Sequence, residues 1–267
     1  MEIARASHAD AVQRLPKLKS SVSVIVTAYN EERYLRDTIV SAMDAIASLS
    51  DVDVELVIVN DGSSDGTAVI ADALAAEFSL VRCIHHERNR GVGAAFQTGL
   101  DAAKHDYVTF LPGDNLISVS MIRELLKHVG QADVIFSFPV NVECRSRFRL
   151  LVSALYSFIY RQTFNLNLRA IHTVPVYPLR LLRDTPLRSS GYGRAAEITV
   201  KLLRQGSTYM ELPGYLNVTD NHSSALRFKN LIEVVKSYVR LTSEVYSSER
   251  TRYSREPVRV IPAELRS

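Results

Sequence analysis

Residues 106–118 read Asp106-Tyr107-Val108-Thr109-Phe110-Leu111-Pro112-Gly113-Asp114-Asn115-Leu116-Ile117-Ser118. The run from Tyr107 to Leu111 is apolar, aromatic and β-branched, and Pro112-Gly113 stops it abruptly, which predicts a short buried strand. Asp114 follows at once. In an open α/β sheet, ligands gather outside the carboxyl ends of the strands. A carboxylate set there by a rigid strand is placed to hold a hard cation and, through it, a diphosphate. Taken alone, Pro112 to Asn115 is also an ordinary surface turn, since all four are turn formers.

The flanking sequence repeats the strand-then-stop pattern. Upstream, Val22 to Ala28 predicts a buried strand that breaks at Tyr29-Asn30, and Glu31-Glu32 opens a helix with Leu35, Ile39, Ala42 and Ile46 on its apolar face. Val54 to Asn60 predicts a second strand, running straight into Asp61-Gly62-Ser63-Ser64-Asp65-Gly66-Thr67 and another helix. Leu80 to Ile84 predicts a third. It is followed by Asn89-Arg90-Gly91-Val92-Gly93, where glycines allow close backbone approach and a helix N-terminus offers free N–H groups to phosphate. Downstream, a helix through Met121 to Val129 precedes a fifth strand, Ala132 to Phe138. Strands alternating with helices predict an α/β fold with a parallel, doubly wound sheet. The first strand lacks a Gly-rich turn, which excludes a nicotinamide-type dinucleotide site, and no phosphate-binding P-loop motif occurs.

Composition sets outer bounds. The chain has 267 residues, 46% hydrophobic and 23% charged, with a net charge of +3. This is ordinary globular composition and points to no nucleic-acid partner. Cys83 and Cys144 lack metal-type spacing and read as inert apolar residues of a reducing compartment. Residues 1–20 are a polar lead-in without the apolar core of a signal peptide, and no apolar run reaches the ~18 residues a membrane span needs.

Three strand-end motifs together resemble a known family: Val26-Thr27-Ala28-Tyr29-Asn30-Glu31, Val59 to Thr67, and Asn89-Arg90-Gly91-Val92-Gly93. With the aspartate at the end of the fourth strand, the set is similar to the family 2 glycosyltransferases of GT-A fold, and within them to the dolichyl- or polyprenyl-phosphate sugar synthases. The resemblance implies a mixed GT-A sheet flanked by helices over residues 21–247, with a nucleotide half to about 140 and an acceptor half from 141. It implies a nucleoside-diphosphate sugar donor, UDP- or GDP-linked, packed on Thr27, Ala28, Tyr29 and Glu31. Asp61 would accept hydrogen bonds from the base, Arg90 and Gly91 would approach the diphosphate, and Gly113 would line the same site. The family's usual Asp-x-Asp is here Pro112-Gly113-Asp114, so Asp114, helped by Asn115 or water, would hold Mg²⁺ or Mn²⁺ without the first acid. The missing acid keeps a non-catalytic nucleotide- or sugar-binding scaffold open as an alternative.

The second half is less patterned. Cys144 to Leu168 predicts a long amphipathic helix with Arg145, Arg147, Arg149 and Arg161 around its apolar part, either a membrane-surface helix beside an anionic lipid acceptor or a core helix with exposed arginines. Thr173 to Pro178 reads as an edge strand because of its prolines. The resemblance makes Glu197 the expected acceptor-side acid or base, and the alternatives are an exposed glutamate or an ion pair with Arg194 or Lys201. His222, Ser223 and Arg227 match a family loop that reaches the diphosphate or lipid phosphate. Leu226 to Val245 predicts a closing amphipathic helix, and residues 248–267 a mobile tail. The function implied is inverting hexosyl transfer to an acceptor, either a polyprenyl phosphate at the inner membrane face or a soluble hydroxyl, by a cytoplasmic or peripheral protein.

Overall fold

The computed structural model describes residues 20–141, 147–171, 174–189, 191, 193–218 and 228–262. His222, Ser223 and Arg227, like Cys144 and Arg145, lie outside them. In chain order the elements are β1 (Ser20–Ala28), α1 (Leu35–Ala47), β2 (Val52–Asn60), α2 (Thr67–Glu77), β3 (Val81–His85), α3 (Val92–Ala102), β4 (Tyr107–Pro112) and α4 (Val119–Lys127). There follow β5 (Val134–Pro139), α5 (Arg147–Phe164), β6 (Pro175–Pro178), α6 (Leu179–Asp184), α7 (Arg194–Arg204), β7 (Thr208–Gly214), α8 (Phe228–Ser243) with a π-helical turn Glu244–Ser248, and β8 (Val258–Arg259).

The described strands form one eight-stranded sheet in the order β3-β2-β1-β4-β6-β5-β7-β8. β1 pairs in parallel with β2 on one side and β4 on the other. The chain therefore reverses direction across the sheet between them, and the crevice at that switch point is where such sheets take ligands. Alternation along β1 sorts the core: Val22, Val24 and Val26 face α1, α2 and α4, while Ile25 joins Val57 and Val59 against α3 and the later helices. The close seat of α3 depends on Gly99, where a Cβ would lie 2.3 Å from Ile25 Cγ2.

Three expectations change. β6 is antiparallel to both β4 and β5 and lies inside the sheet, not at its edge. Its prolines sit at the two ends, so Val176 and Tyr177 supply the ladder between positions where an N–H is dispensable. Of the tail expected to be mobile, the described residues 248–262 are docked: Tyr253 is fully buried, Arg255 N donates to Arg204 O, and β8 pairs with Thr208 and Tyr209. One buried aromatic in a charged stretch carries no period to read. The long helix expected from Cys144 to Leu168 spans Arg147–Phe164, and no described helix is long and apolar enough to cross a membrane.

Candidate active site at the strand ends

The loops after β1 and β2 are zipped together. Asn30, at φ 56°, accepts from Ser64 N through its side chain at 2.9 Å, and its own N–H donates to Ser63 Oγ. Asn60 Oδ1 accepts from both the N–H and the hydroxyl of Ser63. Glu31 N donates to Thr67 Oγ1, and Gly66 N to Glu32 Oε2. The first residue before α2 is Gly66, with no side chain to cap the helix, so neighbouring side chains satisfy its loose N–H groups. Asp65 belongs to this set. Burial alone would raise its carboxyl, but hydrogen bonds from Thr67 and Glu32 hold it below its ordinary value. Thr27 and Ala28 are buried at the strand end, while Tyr29, 48% exposed, and Glu31 form the rim.

Asp61 is buried and works as a brace. Its Oδ1 meets His86 Nδ1 at 2.7 Å and Arg90 N at 2.9 Å, and its Oδ2 accepts from Gly91 N at 2.8 Å. His86 is anchored in turn by Thr98 Oγ1 at 2.9 Å. The carboxylate thus fixes the turn that starts α3, where Gly91 takes φ 90°. The Arg90 side chain itself is exposed. Gly62 takes φ 67°, and a Cβ there would lie 2.3 Å from the Arg88 carbonyl carbon. His86 was not singled out in the sequence. The signal lies in strand register: Asn60 pairs with His85, so the next residues on each strand, Asp61 and His86, come out side by side.

Asp61 and Gly113 both hang from the end of β1, through Asp61 N to Ala28 O at 2.8 Å and Gly113 N to Thr27 O at 2.9 Å. Gly113 has little room for a side chain, since a Cβ would be 3.0 Å from Thr27 O. Thr38 Oγ1 donates to Gly113 O and accepts from Asn115 N, clamping the turn from α1. Asp114, half-buried, accepts from Leu116 N at 3.1 Å through Oδ1. Asn115 has φ 53° and turns away: its amide oxygen is 3.4 Å from both Ser41 Oγ and Asn217 Nδ2. Asp114 is the carboxylate of this turn. One hard carboxylate at a diphosphate crevice fits Mg²⁺ or Mn²⁺, since Mg²⁺ commonly takes one or two carboxylates, waters and substrate phosphates.

Glu197, the expected acceptor-side acid or base, is buried. It is 2% exposed and accepts from Ser189 N at 2.7 Å, Arg188 N at 3.0 Å and Lys201 Nζ at 2.8 Å. Lys201, fully buried, also meets Glu244 at 2.7 Å and Pro186 O. The Lys201 ion pair, the alternative reading, is what forms. Arg194 instead donates to Ser189 O and Gln97 Oε1 and walls an apolar cavity of about 250 Å³ with Phe96, Phe110, Tyr177 and Ile198, beside Gly93. Burial lowers the Arg194 pKa, partly offset by Glu197 and Asp101.

Among the described residues one cluster has metal-type donors, Asp72, Cys83 and His85. Its hydrogen bonds argue against a cation. Ser63 fixes the Asn60 amide so that Nδ2 faces His85 Nδ1, which must accept; the ring proton then sits on Nε2, facing Asp72 at 3.0 Å. Burial, first, and Asp72 push the Cys83 thiol up to about 12.

Residues 23–190 match the model of glycosyl transferase family 2. The chain belongs to this family. Among its curated relatives, the glycosyltransferase GlyG of Streptococcus pneumoniae is 31% identical over 112 residues, covering 42% of this chain and 36% of GlyG. The cholesterol galactosyltransferase of Borreliella burgdorferi is 29% identical over 161 residues, covering 60% of this chain and 39% of that one. The chain thus spans about a third of the length of the curated relatives it matches. Among solved structures, glucosyl-3-phosphoglycerate synthase from Mycobacterium tuberculosis, in complex with Mg²⁺ and UDP, superposes with TM-score 0.65 at 20% identity, covering 84% of this chain and 80% of that one. At that identity the likeness establishes the fold, a GT-A mixed sheet flanked by helices.

Proposed function

We propose that this chain is an inverting glycosyltransferase that moves a hexosyl unit from a nucleoside-diphosphate sugar to a polyprenyl phosphate. One observation carries the donor side: Asp61, Gly113 and Asp114 are gathered around the end of β1, at the switch point, with the Gly91 turn pinned beside them. Thr27, Ala28, Tyr29 and Glu31 would seat the nucleoside, and the N–H groups opening α3 would face the diphosphate. A divalent cation held by Asp114 would neutralise charge on the leaving diphosphate. UDP is the first donor base to try, since the related fold is known with UDP bound.

Two features favour an anionic lipid acceptor. Glu197 is held in a buried ion pair with Lys201, which disfavours it as a base for a hydroxyl. A phosphate needs no such base: its oxygen attacks the anomeric carbon, the bond from that carbon to the diphosphate breaks, and the nucleoside diphosphate leaves. The cavity beside Gly93, apolar with Arg194 as its cation, suits a phosphate carrying a hydrocarbon chain. The reaction would then run on the cytoplasmic face of a membrane.

The test is transfer from labelled UDP- and GDP-sugars, with Mn²⁺, to a short water-soluble prenyl phosphate and to a hydroxyl acceptor in parallel. Label in the prenyl phosphate supports the reading. Label only in the hydroxyl acceptor refutes the lipid, and nucleotide binding without turnover or hydrolysis indicates a non-catalytic scaffold.

A further inference from the structure

Helices α5 and α8 leave an apolar face uncovered. On α5, Phe148, Leu151, Leu155 and Phe158 are 66%, 68%, 57% and 58% exposed, and they recur at spacings that put them on one side of the helix. On α8, Ile232, Val235 and Val239 are 42%, 54% and 60% exposed in the same manner. The two helices are neighbours: Tyr238 packs edge-on against Tyr160 at 5.2 Å and hydrogen-bonds Thr163 Oγ1 at 2.7 Å. Each helix thus packs through one side and leaves an apolar side outward. Single exposed apolar residues are ordinary, but a row of them along one side of a helix marks an interaction surface.

The charge pattern selects the occupant. The sequence of α5, Arg147–Phe164, contains no Asp or Glu. Among the described side chains of α5 and α8 that are exposed, none is acidic; the glutamates of this region, Glu233 and Glu244, turn inward. Lys236 is exposed on α8, and Arg147 and Arg149 begin α5. Apolar helix sides with Lys236 exposed among them, and no exposed acid among the described side chains, match an anionic bilayer surface, where side chains enter the acyl boundary and cations meet lipid phosphates. The face also borders the site. A Cβ on Gly191 would collide with Glu233 at 2.2 Å, and one on Gly193 with Ser237 at 2.6 Å, so the start of α8 rides on the loop that rims the Arg194 cavity.

We infer that the α5–α8 face docks this chain on an anionic lipid surface, with the Arg194 cavity brought to the bilayer. The inference deepens the lipid-acceptor reading and rests on it for its purpose. The test is co-sedimentation of the full chain with phosphatidylcholine vesicles, with and without phosphatidylglycerol, at low and high salt. Binding is expected to require the anionic lipid and to weaken with salt. Leu155→Gln with Phe158→Gln, and separately Val235→Gln with Val239→Gln, should each lower it by about tenfold or more while nucleotide binding and thermal stability hold. No binding to anionic vesicles overturns the inference, and so does a dimer that the same substitutions dissociate. Transfer to the soluble prenyl phosphate separates the two claims. If transfer persists without vesicle binding, docking fails and the function stands. If vesicles bind as expected but no prenyl phosphate is glycosylated, docking stands and the acceptor is wrong.

Discussion

The halves of this molecule, before and after Pro139, use buried carboxylates in opposite ways. In the first half Asp61 braces a glycine turn, through the N–H groups of Arg90 and Gly91 and the ring of His86. In the second half, carboxylates meet cations deep in the packing. Lys201 lies between Glu197 and Glu244, and Glu211 faces Arg259 at 3.1 Å. The first arrangement fixes the loops where the donor is proposed to bind, called the cradle below; the second ties α7, α8 and the C-terminal segment to the sheet. A buried acid is therefore no pointer to catalysis unless its partners are loop amides at the strand ends.

The largest expected effect breaks the second half. Lys201→Met leaves Glu197 and Glu244 buried without their cation, at a cost of about 3–5 kcal/mol. Denaturant unfolding measures it, and nucleotide affinity of the folded fraction should be unchanged. A loss of affinity equal to that of a cradle variant would erase the distinction between the halves.

Next comes the cradle's backbone. Gly62→Ala introduces a Cβ at φ 67° and against the Arg88 backbone, and should cost about 1–3 kcal/mol. It should also weaken nucleotide binding, because the displaced segment carries Arg90 and Gly91. Asp61→Asn is milder in stability, about 1–2 kcal/mol for one acceptor lost. Its nucleotide affinity should nonetheless fall about tenfold, read by calorimetry, with Lys201→Met as the contrast.

The smallest effect is in pH. At Glu197, burial would raise the carboxyl, but hydrogen bonds from Lys201, Arg188 and Ser189 outweigh it and hold the group below its ordinary value. Its stabilisation is present above the unfolded value of 4.5 and is lost as pH falls through the lower folded one. Glu211 goes the other way: burial raises it despite the Arg169 amide and Arg259, so its contribution is present in acid and lost as pH rises. Melting temperatures from neutral pH to below 4.5 should show the gap between wild type and Glu197→Gln closing, and that between wild type and Glu211→Gln shifting in the opposite sense.

The same division explains what the sequence disclosed. Val22–Ala28, Val54–Asn60 and Tyr107–Leu111 are continuous apolar runs with sharp polar stops, so these strands and the loops that follow them were legible, while their order in the sheet was not. In the second half the information is in register and pairing. β6 has four residues and two prolines, β8 two exposed residues, and nothing local says that they enter the sheet. His86 and Lys201 act through partners 25 and 43 positions away, Asp61 and Glu244, which no periodicity reveals. Glu197 and Lys201 do share helical spacing, so the pair was visible; its burial was not.

The central claim is that Asp114 organises a cation and a nucleoside diphosphate at the end of β4. The direct measurement is calorimetric titration of UDP and GDP into wild type and Asp114→Ala, with Mn²⁺, with Mg²⁺ and with chelator. The account predicts metal-dependent binding of one nucleotide, reduced at least about tenfold by the substitution. Binding that depends on metal but ignores Asp114, or no nucleotide binding at all, would contradict it.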